Sequence, residues 1–94
     1  MMILRWTPEA VKDLARLRAF IGDKNPAAAK RAALRILEAA AVLREQPELG
    51  RGVEDEDFRD LVARFGGGAY VLRYRVDPDA VVIARVWHSR EGRE

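Results

Sequence analysis

The chain has 94 residues, no cysteine, one histidine and a formal net charge of +2. At that length there is room for one hydrophobic core and no second, so residues 1–94 are expected to form a single domain, and 49% hydrophobic with 34% charged residues is the balance of a folding chain rather than a disordered one. The missing cysteines exclude a disulfide frame, a thiolate zinc site and a cysteine nucleophile; the lone histidine excludes a multi-histidine metal centre; no cofactor is expected.

The opening residues Met1–Trp6 lack the long apolar stretch of a signal peptide. No apolar run approaches the roughly 18–20 residues of a membrane span, so a soluble, cytoplasmic protein without membrane contact is expected. Met2-Ile3-Leu4-Arg5-Trp6 predicts a first strand. Thr7-Pro8-Glu9 then signals a helix start: a hydroxyl cap, a proline suited to the first turn, and an acid at the positive helix end. Ala10, Leu14, Leu17 and Ile21 recur at helical spacing, and Gly22 can end the helix. Asn25-Pro26 repeats the start signal for a second helix, from about Ala27 to about Arg44. Its expected inward stripe is Ala29, Ala33, Ile36, Leu37, Ala40 and Leu43. The short gap between the helices predicts an antiparallel hairpin.

Gln46-Pro47-Glu48-Leu49-Gly50-Arg51-Gly52 breaks the helical pattern, and Glu54-Asp55-Glu56-Asp57 is an acidic loop, solvated or lying close enough to arginines to shield them. From Phe58 the period becomes two. Strands are predicted over Phe58–Phe65, Ala69–Val76 and Ala80–His88, with turns at Gly66-Gly67-Gly68 and Asp77-Pro78-Asp79. The fold class is therefore α+β: a strand, a helical hairpin, then a three-stranded antiparallel meander, with the helices packed on one face of the sheet. In the middle strand Tyr70, Leu72, Tyr74 and Val76 share the core face and Val71, Arg73 and Arg75 the other. Strict alternation in the last strand puts Val82, Ala84, Val86 and His88 inward, and Val81, Ile83, Arg85 and Trp87 outward. His88 is then a structural histidine, while Trp87 stands beside arginines, where it can stack on a base or anchor a partner.

The charge is uneven. Residues 1–57 hold 10 basic and 10 acidic side chains, whereas residues 58–94 hold 7 basic and 5 acidic ones, and those basic residues are all arginine. Arginine's planar fork suits phosphate and carboxylate recognition. Arg73, Arg75 and Arg85 on one face of neighbouring strands would repel unless a partner or a carboxylate offsets them.

An ordered set of short signatures runs along nearly the whole chain: Trp6-Thr7-Pro8-Glu9-Ala10 with Asp13-Leu14; Asn25-Pro26-Ala27-Ala28-Ala29; Leu43 with Pro47-Glu48-Leu49-Gly50-Arg51; Arg59-Asp60-Leu61; Tyr70–Val76; and Val82–Arg90. The set resembles the RelE/ParE toxin superfamily of bacterial type II toxin–antitoxin modules. The resemblance implies a toxin that arrests growth, neutralised in a hetero-oligomer by a cognate antitoxin whose acidic, amphipathic C-terminal segment folds on it. Val11, Phe20 and Val42 on the hairpin, and Arg73, Arg75, Arg85, Trp87 and Arg90 on the sheet, are the expected antitoxin- or target-binding residues.

Two activities follow from the two branches. The His88-Ser89-Arg90 ending, the Trp-Thr-Pro opening and the Pro47–Arg51 turn look more like the ParE branch, which implies a non-enzymatic inhibitor of DNA gyrase. The alternative is a RelE-like, ribosome-dependent messenger RNA endoribonuclease. There Arg59, Arg73 and Arg85 would stabilise phosphate charge and His88 would donate a proton. This sequence departs from the cleaving pattern: no tyrosine follows Trp87-His88, and no lysine lies on the predicted sheet.

Overall fold

The computed structural model describes residues 2–54 and 56–91; Met1, residues 92–94 and Asp55, the second member of the acidic loop, lie outside it. The elements are β1 (Ile3–Trp6), α1 (Pro8–Gly22), α2 (Pro26–Val42), β2 (Arg51–Gly52), β3 (Arg59–Phe65), β4 (Gly68–Val76) and β5 (Ala80–His88). Both helix starts form as their caps predict. The Thr7 hydroxyl accepts from the Ala10 amide at 3.1 Å, and the Asn25 carbonyl oxygen accepts from the Ala28 amide at 3.1 Å. Each is followed by proline, which has no amide hydrogen to leave unpaired.

The strands form one five-stranded sheet in the order β1-β5-β4-β3-β2. The predicted meander is present: β3 pairs antiparallel with β4, and β4 with β5. Phe65 pairs with Gly68 across Gly66-Gly67, and Gly66 takes φ of 59°, a conformation that suits a residue without Cβ. Two strand relations are additional to the expected order. β1 crosses over through the helical hairpin to lie parallel to β5, Leu4 opposite Val81 and Trp6 opposite Ile83. β2, a two-residue strand, pairs with β3 through Arg51–Asp60 and Gly52–Arg59.

Both helices cover one face of the sheet. Ala10 and Leu17 of α1 and Ala32, Ile36, Ala39 and Ala40 of α2 bury against Tyr70, Leu72, Tyr74, Val81, Ile83 and Val86. Trp6, Leu14 and Ile21 pack around them. The small alanines let the hairpin sit close to the sheet. Two residues expected inward stay exposed: Val76, at the end of β4, at 42%, and Leu37, at 46%. At about 100° per residue Leu37 lies a quarter-turn beyond Ile36, and Ala32 and Ala39 take the inward places instead.

The alternation expected for β5 holds for only half the strand. Val81 and Ile83, placed outward by strict period two, are fully buried in the core. The cause is a bulge: Arg73 pairs with Arg85 but Tyr74 pairs with Ile83, so Ala84 is an extra residue. Val86 and His88 then face the helices, and Arg85 and Trp87 face away, as expected. The bulge is held from β1, because the Thr7 amide donates to the Ile83 carbonyl at 3.0 Å and the Thr7 hydroxyl to the Ala84 carbonyl at 2.8 Å.

Candidate functional site

The helix-free face of the sheet gathers Arg73, Arg75, Arg85 and Trp87, and the register makes Asp60, Arg73 and Arg85 neighbours across three strands. Each arginine has a carboxylate within the chain. Arg73 grips Asp60 with both fork atoms, Nε to Oδ1 at 2.8 Å and Nη2 to Oδ2 at 2.9 Å. Its guanidinium carbon also lies 5.1 Å from the Trp87 ring centre, a cation–π distance. The hydrogen bond to Asp60 outweighs partial burial, and with the nearby charges of Asp60 and Glu56 holds the Arg73 proton more tightly than usual. Arg75 pairs with Asp77 at 3.1 Å near the strand end. The mutual repulsion expected of these arginines is thus offset by internal acids.

Arg85 curls around the edge of β5 to Asp13 of α1, Nε to Oδ2 at 2.8 Å and Nη2 to Oδ1 at 3.1 Å. Asp13 is the one buried charged residue among those described, at 4% exposure. It also accepts from the Val86 amide at 2.9 Å and from Arg16 Nη2 at 3.2 Å. Burial alone would raise its carboxyl; the hydrogen bonds from Arg85, Val86 and Arg16 win and hold it below its ordinary value. β1 stops at Trp6, so beyond Ile83 the edge of β5 away from β4 has no strand beside it. Side chains take over: Thr7 on Ala84, Asp13 and Arg16 on Val86, and Glu91 on the His88 amide at 2.6 Å. Arg16 and Glu91 are themselves paired. An edge finished this way is closed to a further strand.

His88 lies on the other face. Its ring stands edge-on to Tyr70 with centres 5.2 Å apart, and Nδ1 accepts from the Arg90 amide at 3.1 Å. A Cβ on Gly68 would come within 2.7 Å of Nε2, so the glycine makes room for the ring. His88, Tyr70, Leu17, Phe20, Ile21, Arg16, Arg90 and Glu91 line an open cleft of about 590 Å³ between α1 and the ends of β4 and β5. Burial, with the Glu91 charge, raises the Tyr70 hydroxyl above its ordinary value. Phe20, 70% exposed, forms one lip of this cleft; Val11 and Val42 are exposed elsewhere on the hairpin and do not line it. Arg90 Nη2 donates to the Gly67 carbonyl at 2.8 Å and ties the chain end to the β3–β4 turn.

Arg59 serves the Pro47–Arg51 turn. Its Nη1 donates to the carbonyls of Gly50 at 2.8 Å and Glu48 at 3.3 Å, and it pairs with neither Asp57 nor Asp60 among the described ion pairs. The buried Tyr74 completes that clamp: its hydroxyl donates to the Pro47 carbonyl at 2.7 Å and accepts from the Gly50 amide at 2.8 Å. Glu56 and Asp57 line a second open cleft, of about 460 Å³, with Arg59, Arg75 and Asp77. The acidic loop therefore does lie beside sheet arginines. The structure thus brings Arg73, Arg85 and Trp87 together, and separately Phe20, His88 and Arg90; Arg59 stands apart from both groups.

Asp13, Arg16, Thr7 and Glu91 hold this arrangement and were not singled out by sequence reasoning as site residues. One signal was available: Asp13 follows Ala10 by three and precedes Leu17 by four, which sets an acid on the apolar stripe of α1.

The chain matches, over residues 4–92, the family described as ParE toxin of type II toxin–antitoxin system, parDE. It is 46% identical over 86 residues to the Caulobacter vibrioides protein named Toxin RelE3, covering 92% of each chain. Its fold superposes with a TM-score of 0.80 and 25% identity on a chain of the chromosomal ParDE system from P. aeruginosa, covering 94% of this chain and 96% of that one. For the toxin–antitoxin complex RelBE2 from Mycobacterium tuberculosis the TM-score is 0.68 and the identity 30%, covering 93% and 96%. With a parallel β1–β5 pair, a capped hairpin on one sheet face and a family match across nearly its full length, the chain belongs to the ParE toxin family of type II toxin–antitoxin systems, within the RelE/ParE superfamily.

Proposed function

We propose that this toxin inhibits DNA gyrase by binding it, without cutting RNA, and that a cognate antitoxin neutralises it in the cytoplasm by covering the same surfaces. The observation that carries the reading is the separation of His88 from the sheet arginines Arg73 and Arg85; of the two arginines beside it in the cleft, Arg16 holds Asp13 and Glu91, and Arg90 holds the Gly67 carbonyl. Cleavage of an RNA phosphodiester needs a proton donor or acceptor within hydrogen-bond reach of the reacting oxygens, and a cation aimed at the same phosphate. His88 faces the helices, whereas Arg73 and Trp87 face away, and Arg73 and Arg85 already hold Asp60 and Asp13. An arrangement of ion pairs that a competing acid can exchange suits recognition of an acidic surface better than phosphate chemistry. The family match to ParE supports the same reading.

An antitoxin partner is supported by the ParDE and RelBE complexes that the fold resembles. Its acidic residues would replace Asp60 and Asp77 on the sheet arginines, and its apolar residues would cover Phe20, Val11 and Val42.

The ribosome-dependent endoribonuclease remains the second reading, favoured by the RelE name of a relative 46% identical. Paired assays separate the two. Purified toxin is expected to inhibit supercoiling by gyrase and to leave messenger RNA intact in a translation reaction. Cleaved messenger RNA with unimpaired gyrase, lost in Arg73→Ala or Arg85→Ala, overturns the proposal in favour of the endoribonuclease. A toxin that arrests neither reaction nor growth is a binding module alone.

A further inference from the structure

α2 has two apolar faces, and the fold buries one of them. Ala29, Ala32, Ile36, Ala39 and Ala40 turn toward the sheet and α1. On the opposite side, Ala27, Leu34 and Ala41 follow one another at seven-residue spacing, flanked by Lys30, Arg31, Leu37 and Glu38. All of these are exposed, Leu34 at 52%. The outward face of a helix on a small protein is ordinarily polar. Two leucines in a strip of seven-residue period are instead the pattern of a helix–helix seam.

We propose that this face of α2 is the contact of a symmetric dimer, in which α2 packs antiparallel on α2 of a second copy with the two-fold axis at Leu34. A second copy is the occupant because the strip is complementary to itself. In an antiparallel pair centred on Leu34, residues about equally far before and after it, on the same edge of the helix, become partners. Leu34 meets Leu34. Arg31 meets Glu38 on one edge of the seam, twice by symmetry, and neither has an ion-pair partner within the described chain. Leu37 lies against the aliphatic stem of Lys30 on the other edge. Ala27 meets Ala41, and these small side chains at both ends let the backbones approach. No like charges face each other in this register; shifting it by one residue loses the Arg31–Glu38 pairing.

A helix of 17 residues is about 25 Å long, so the contact is smaller than the roughly 1,200 Å² of a standard interface. The dimer is accordingly weak and concentration-dependent. It involves neither the sheet arginines nor the His88 cleft, and it stands whether gyrase or the ribosome is the target.

Sedimentation velocity on the purified full chain, from about 5 to about 300 µM, reads the association. The expected result is a shift from monomer to dimer across that range. Leu34→Glu keeps the chain monomeric with unchanged helicity. Arg31→Glu and Glu38→Arg each weaken the dimer about tenfold, and the double change restores it, because both symmetric pairs are reversed together. In a chain with no cysteine of its own, Leu34→Cys cross-links to a second copy under mild oxidation and Ala41→Cys does not. A chain that stays monomeric throughout overturns the proposal, as does association unchanged by Leu34→Glu or cross-linking through Ala41→Cys but not Leu34→Cys. So does a monomeric chain whose Leu34→Glu variant loses antitoxin binding, which would assign the face to the antitoxin.

Discussion

Asp13 shows how one buried side chain organises three elements. It receives Arg85 and the Val86 amide from β5 and Arg16 from its own helix. Asp13→Asn keeps the shape but removes the charge, and is expected to cost about 2 kcal/mol in urea unfolding at pH 7. The partner arginines are partly exposed, so water recovers some of the loss. The pH dependence has a definite sign. The folded carboxyl titrates below its ordinary value of 3.8, so its stabilisation is complete above that pH and is lost as pH falls through the lower, folded value. The natural chain should therefore lose stability on acidification below about pH 4 more steeply than Asp13→Asn does; parallel curves would refute the assignment. Gly50 tests close approach. A Cβ there would lie 2.7 Å from the Tyr74 ring and hydroxyl and 3.0 Å from the Asp60 carbonyl, and Tyr74 is too enclosed to yield. Gly50→Ala should lower stability by about 1–3 kcal/mol, read by thermal or urea unfolding. That glycine was legible in the sequence only as a turn signal, because the tyrosine above it comes from a strand 24 residues away.

At the scale of elements, Thr7 joins the start of α1 to the bulge of β5. Thr7→Val preserves the shape but removes both the acceptor for the Ala10 amide and the donor to the Ala84 carbonyl. The expected loss is about 1–2 kcal/mol, with faster amide exchange at Ala10. A loss near zero would mean that the bulge is held by the backbone pairing of β1 alone. The helices were legible from their caps and stripes, since those signals are local. The phase of β5 was not: a bulge adds one residue to an otherwise regular strand, and nothing between Val81 and Val86 marks where it falls. Likewise the stripe of α2 was legible, but Leu37 on its margin was not, because two helices crossing a sheet decide how wide the buried strip is.

At the scale of the whole molecule, two surface features carry the proposed partner contacts. Phe20 stands 70% exposed at the lip of the His88 cleft, and the sheet arginines hold acids that another chain can replace. An antitoxin that binds only the folded toxin stabilises it by mass action, so the complex is expected to melt well above the free toxin, by an amount that grows with antitoxin concentration. Equal melting of the two in differential scanning calorimetry would show that these surfaces are not what the antitoxin covers. The arginine-only half of the chain also acquires a limited meaning. Of its surplus, Arg73, Arg75 and Arg85 are internally paired, and Arg59 and Arg90 bind backbone carbonyls.

By itself the sequence determined what depends on near neighbours: a capped helical hairpin, a three-stranded meander and the inward face of β4, all set by side-chain period and by the conformational limits of proline, glycine and asparagine. Tertiary structure alone decided the rest, because each remaining feature joins residues far apart in the chain. It placed β1 parallel to β5, inserted the bulge that turns Val81 and Ile83 inward, and brought Asp13 to Arg85. The opposite faces of His88 and Arg73 were already legible from side-chain period; what the tertiary structure added is that Arg73 and Arg85 are held by Asp60 and Asp13, which supports the proposed toxin that binds over one that cuts.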